Sequence, residues 1–421
     1  MRRLRFCLRL FLPLFMLVVY GSLSSTSYAS VTRASPQAIR YLNEALDYIQ
    51  TNSVKTKTVD WSMLRQKAKA LAEDAQTTAD TYPAIKMVLQ HLGDHHSFFL
   101  NPANVELADQ GQNAGFGFTL SFSNTVVKVI PQSPADRGGL RERDAILAIN
   151  GVSIVTMSQD AIGKALYEGS QITLTARHPD DASSVVLTLV AANYDDYMPP
   201  VAQRLSGDIG YLELPTGGGA TPQQQKDYAT EGQSGIRQVD QQATCGWIID
   251  LRRTEGGGLY PMLAAVGPLL GEGNVGGFVD ANGNRQIWSY HNGKVYLGNQ
   301  LAVTVDHPYH LQHAMPPVAI LTSDLTASAA EATLVAFQGR SHIRSFGMPT
   351  YGVPTGNNEH MLSDGAELIL TSALDMDRTG RAYDAPLNPD QNVQIDWAQL
   401  NTHHDPVLQA AEQWLQSQSC H

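Results

Sequence analysis

The chain is poor in several things, and each shortage excludes a class of protein. It has 3 cysteines in 421 residues, Cys7, Cys245 and Cys420. That is too few for a disulfide-built scaffold or a four-cysteine zinc site. Positive charge is also short: 29 Lys and Arg against 40 Asp and Glu leave a net −11 at pH 7. Binding nucleic acid through its phosphates needs clustered cations, so nucleic acid is not an expected partner. No Gly-rich phosphate loop or dinucleotide fingerprint stands in its proper strand–helix context. With 43% hydrophobic and 16% charged residues, the composition is that of an ordinary globular protein.

At this length two or three domains are expected rather than one core. The start is set apart. Arg2, Arg3, Arg5 and Arg9 precede a mostly apolar stretch from Leu10 to Leu23, and Ser27-Tyr28-Ala29 follows with small residues. This is the layout of a secretory signal peptide, residues 1–29, cleaved after Ala29. A retained anchor is the alternative, but the run, interrupted by Pro13, is short for a span of about 20 residues. The mature protein is therefore expected in the periplasm or secreted, with no membrane span. In an oxidising compartment Cys245 and Cys420 are free to pair, or to remain two buried thiols.

Residues 30–110 read as helical. Ser35-Pro36 is a helix start, with Ile39, Leu42, Leu46 and Ile49 at helical spacing. A second helix is expected from Trp61 to Asp80 and a third from Pro83 to Leu92. Over residues 111–196 the pattern turns to short strands and glycines. Gly115-Phe116-Gly117-Phe118, Ser133-Pro134-Ala135, Gly139-Leu140 and Asp144 through Gly151 follow in order. They resemble a PDZ domain of the kind found in bacterial proteases. In such a module the loop Gly115, Phe116, Gly117 and Phe118 offers backbone N–H groups to a peptide carboxylate, and an edge strand pairs with the peptide. The bland alternative is a small β-sandwich that binds nothing. Residues 197–421 alternate strand and helix, an α/β core of about one domain.

Thr326-Ala327-Ser328-Ala329-Ala330-Glu331 carries the strongest chemical signal. It leaves the buried strand Val318–Thr322 and opens a helix. A serine at such a turn suits a nucleophile, because the helix N-terminus favours negative charge on the attacked oxygen. Taken alone it reads more readily as a capping serine, since such serines are far commoner than catalytic ones.

Asp94-His95-His96-Ser97, then a PDZ-like insertion, then Asp250-Leu251-Arg252 with Gly256-Gly257-Gly258, then Ser328-Ala-Ala-Glu331 resembles the C-terminal processing (tail-specific) serine peptidase family. Val59-Asp60-Trp61, Leu362-Ser-Asp-Gly365, Asp377-Arg-Thr-Gly380 and Pro389-Asp390 extend the likeness over nearly the whole mature chain. The resemblance implies a multidomain α/β fold: N-terminal helices, a PDZ-like module and a crotonase-like (ClpP-like) core. It makes Ser328 the nucleophile. Members with a Ser-Lys dyad carry a lysine in a Phe-Gly-Lys-Gly motif about 25 residues later. Here Tyr351-Gly352-Val353-Pro354 stands there, and no lysine follows Ser328. The His-dependent branch, with nisin-resistance and tricorn-like proteins, instead implies His96 as general base. The ordinary imidazole pKa of about 6.5 suits that task.

In that branch a third group near Asp384 orients the imidazole, and Asp384 is the candidate, against a dyad served by backbone or water. The resemblance implies an oxyanion hole at the N–H groups of Gly257 and Ala329. No cofactor is required, and the partners are polypeptide substrates. The triplet His307, His310 and His313 resembles a metal set, but Pro308 argues against one helix face. Two rivals stand beside the peptidase. One is an inactive peptide-binding protein of the same fold, and the other is a zinc hydrolase built on His307.

Overall fold

The structure, a computed structural model, describes residues 33–241, 244–313 and 315–418. The expected leader and Cys420 lie outside the described residues. Cys245 is disulfide-bonded.

Ser35 caps the first helix, Pro36–Asn52, by accepting the Ala38 N–H. Its buried stripe is Ala38, Leu42, Ala45, Leu46 and Ile49, and Ile39, expected on that stripe, is 46% exposed. The second helix ends at Leu71, not Asp80. Asp80 instead accepts the N–H groups of Gln76 and Thr77 and closes a turn, which an acidic side chain does more readily than it extends a helix. A third helix spans Tyr82–Leu92. These helices pack on Leu368 and Leu370 of the long strand Glu367–Asp377. The strand Phe98–Leu100 pairs with that same strand, Phe99 opposite Leu368. The helical region is thereby stitched to the core.

The middle module has a hydrophobic core of its own, including Phe116, Val126, Ile146, Ile149 and Leu174. The hairpin Phe118–Leu120 and Val126–Val129 lies beside a four-stranded sheet built on Ala145–Ile149, Gln171–Arg177 and Val185–Val190. The helix Gln159–Tyr167, capped by Ser158, completes it.

The last part is built on a six-stranded sheet. Its order is Val201–Leu205, Ile209–Glu213, Gly246–Asp250, Val318–Thr322, Ile343–Gly347 and Gln391–Asn392, parallel from the second strand onward. Parallel strands buried on both faces read as continuous apolar runs. Along Gly246–Asp250, Trp247 and Ile249 pack with Ala330 and Leu334, while Ile248 packs with Leu415 on the opposite face. Arg252, fully buried, clamps the end of that strand. It bonds Asp250 at 2.6 Å and Asp405 of the C-terminal segment at 2.8 Å. A second sheet, antiparallel in its described pairings, centres on Gly273–Asp280 and Glu367–Asp377.

Candidate active site

Two adjacent parallel strands, Gly246–Asp250 and Val318–Thr322, end side by side, and their following turns meet. Open α/β sheets place ligands at the carboxyl ends of their strands. Ser328 stands on the second turn, ahead of the helix Ala329–Phe337, with φ 54° and ψ −119°. A non-glycine residue held there costs about 1–3 kcal/mol, so the surroundings must impose it.

They do so through a dense set of bonds. Glu331 accepts the Ser328 N–H at 3.0 Å, the Gly352 N–H at 3.0 Å, the Val353 N–H at 2.9 Å and the Thr350 hydroxyl at 2.5 Å. Burial pushes the Glu331 carboxyl above its usual range, and these four donors oppose that. The Ala327 N–H donates to the Thr254 carbonyl at 3.1 Å, tying the serine turn to the glycine turn. Close approach is possible because residue 256 is a glycine: a Cβ there would sit 2.8 Å from the Ser328 Cβ.

Ser328, His96, Gly257 and Ala329 line one cavity of about 1380 Å³. Among the described residues no hydrogen bond joins His96 to Ser328. His96 enters from the loop before Phe98–Leu100, after His95 turns the backbone at φ 55°. Asp94 accepts the His96 and Ser97 N–H groups and the Ser97 hydroxyl, so its carboxylate shapes the loop. The ring nitrogen Nδ1 lies 2.7 Å from Thr355 Oγ1. Burial, opposed by Asp94, lowers the imidazole pKa to about 4, well under the ordinary 6.5 expected from sequence.

Asp384 is exposed and is not part of the cavity wall; the imidazole meets Thr355 instead. That threonine was missed by sequence reasoning. Its sole local signal is its place two residues after Val353, where dyad enzymes of the resembling family carry lysine. Asp375 was also missed. It lines the cavity, neither carboxylate oxygen has a hydrogen-bond partner among the described residues, and burial with the nearby Glu331 charge raises its pKa well above the ordinary value.

Gly115 to Gly117 lead into the hairpin, which Phe118 opens, and all four residues lie outside the cavity wall. Phe116 is in the module's core, and the Gly117 carbonyl accepts from Ile130 and Ser133. The wall continues instead along Leu120, Phe122, Ile162, Leu166 and Tyr167. A single cavity thus joins Ser328 to the groove between Phe118–Leu120 and Gln159–Tyr167. The module is also held against the glycine turn. Lys128 bonds Glu255 at 2.7 Å, and Thr119 donates to Glu255 at 3.0 Å. Arg253 reaches the Val127 carbonyl and Glu142 at 3.0 and 2.7 Å.

Near the histidine triplet, His310 Nε2 sits 3.2 Å from Asn292, and Tyr309 bonds Asp240. Among the described residues no group of three or more His, Cys, Asp or Glu is placed to hold a metal. Nor is any described helix long and apolar enough to cross a membrane.

The sequence pattern of peptidase family S41 matches residues 208–393, and that of a PDZ domain matches residues 125–177. Over residues 208–393 this is a serine peptidase of family S41. Among its relatives, this S41 peptidase is 28% identical over 242 residues to the nisin-resistance protein of Lactococcus lactis subsp. lactis, covering 57% of this chain and 68% of that one. It is 25% identical over 376 residues to the carboxyl-terminal-processing protease of Synechocystis sp., covering 84% and 80%. Its fold is that of the photosystem II D1 C-terminal processing protease, with TM-score 0.59 and 21% identity over 90% of this chain and 98% of the other.

Proposed function

We propose that this peptidase cleaves polypeptides outside the cytoplasm through an acyl-enzyme on Ser328, with His96 as general base. The observation that carries this is the strained Ser328 turn opening into one cavity with His96, Gly257 and Ala329. Ser328 Oγ attacks the scissile carbonyl while its proton passes to His96 Nε2. The N–H groups of Gly257 and Ala329 receive the oxyanion. The proton moves on to the leaving amine, and water then cleaves the ester with His96 again as base. The PDZ module takes the substrate's C-terminal segment. Its groove and the catalytic serine share one cavity, which supports this reading, as do relatives named for C-terminal processing.

A fluorophosphonate probe tests the chemistry. The wild type labels, Ser328→Ala does not, His96→Ala labels far more slowly, and His95→Ala stays near wild type. Equal labelling of wild type and Ser328→Ala would sink the assignment. In the same assay series, a long peptide with a free C-terminus should be cleaved faster than its amidated twin. Equal rates would remove carboxylate capture from the module's role.

A further inference from the structure

We propose that Thr355 is the positioning residue of this site, a hydroxyl that accepts the His96 Nδ1–H and so fixes the tautomer whose free Nε2 acts as base. The inference rests on the Ser328 and His96 reading above.

Four observations carry it. The His96 Nδ1 to Thr355 Oγ1 separation is 2.7 Å. The Thr355 hydroxyl has the Val353 carbonyl on its other side at 3.5 Å, which gives its own proton an acceptor and leaves a lone pair for the imidazole. Thr355 is itself fixed. Its N–H donates to the Val353 carbonyl at 2.8 Å, it opens the strand Thr355–Met361, paired to Glu367–Asp377, and its branched side chain is stiff at χ1. Finally, the carboxylates one would expect in its place are engaged elsewhere: Asp94 with its own loop, Asp384 at the surface.

The proton count closes. The Ser328 proton goes to Nε2 as the Oγ–carbon bond forms, Nδ1–H stays on Thr355 throughout, and Nε2 hands its proton to the amine as the carbon–nitrogen bond breaks. A hydroxyl orients the ring without adding a negative charge to it. Of the acids around the cavity, Asp280, Glu255, Glu359 and Asp375 among them, none bears on the ring's charge as Asp94 does.

The test uses the full mature chain, a chromogenic peptide, three Thr355 variants and the Ser328→Ala and His96→Ala controls, each checked for fold by circular dichroism. Thr355→Val, nearly isosteric, should lower kcat by about 10- to 100-fold with KM little changed. Thr355→Ser should restore most of that loss. Thr355→Asp should move the acid limb of kcat/KM upward by about 1 unit or more, because a carboxylate beside the imidazole favours its charged form. Wild-type kcat in Thr355→Val, a serine variant as slow as the valine one, or an unmoved acid limb in Thr355→Asp would each overturn the inference. If Ser328→Ala and His96→Ala abolish cleavage while Thr355→Val does not, the positioning role alone fails. If those two variants keep wild-type activity, the underlying reading fails with it.

Discussion

Ser328 and His96 face the same cavity from opposite ends of the chain, and they are held in different ways. The serine sits in a turn fixed largely by main-chain bonds and by one buried carboxylate that takes four donors. Among the described residues the histidine ring makes one hydrogen bond, to a side chain on a strand 259 residues away, and it sits on a loop that Asp94 shapes. The serine's geometry is therefore part of the fold's stability. The orientation of the imidazole depends on one hydroxyl.

The largest effect that would sharpen this contrast is expected at Glu331. Glu331→Ala leaves the Ser328, Gly352 and Val353 N–H groups and the Thr350 hydroxyl without their acceptor. It should cost about 2–4 kcal/mol in denaturant unfolding and take most of the activity with it. The Thr355 variants should melt close to wild type. A Glu331→Ala protein as stable as wild type would erase the distinction.

The next effect concerns protonation. In the role proposed for it His96 must be neutral, and its lowered pKa means that it stays neutral down to about pH 4. The kcat/KM profile between pH 3 and 8 should be flat above about pH 5 and fall through a limb near 4. A limb between 6 and 7 would show that the working imidazole is solvated rather than buried.

The smallest effect is expected at Asp375. Its folded pKa is raised above the unfolded value, so the unfolded chain loses a proton first as pH rises. Its contribution to stability is thus fullest below about pH 4 and declines as pH rises toward the folded pKa. Asp375→Asn removes the titration. Its Tm should gain on wild type from pH 4 to pH 8; a constant difference would mean that the carboxyl does not titrate between these states.

Much of this architecture was legible in the sequence for physical reasons. Val318–Thr322 is apolar at nearly every position because both faces are covered, and Ser328 stands out where that run turns into a helix. Glu331 lies within the same short motif. Thr355 was not legible, because its one local signal, a place two residues after Val353, does not mark a hydroxyl that will meet an imidazole from the N-terminal region. Asp384 drew attention by sharing its stretch with family motifs, yet its side chain ends in solvent. The early end of the second helix at Leu71 went unseen as well, since residues that make a turn around Asp80 are compatible with a helical pattern until the bonds form.

The PDZ module keeps its own core, which suggests a cassette to be exchanged between relatives. Its contacts with the glycine turn say otherwise. Arg253 and Glu255 bracket the residue whose carbonyl steadies the serine turn, and each reaches into the module, to Glu142 and to Lys128. A foreign module grafted at its sequence boundaries would arrive without those counter-ions. The chimera would leave Glu255 without its lysine and Arg253 with Glu213 as its remaining carboxylate beside the glycine turn, so compatibility between module and core is written in Glu142 and Lys128 as much as in the linkers.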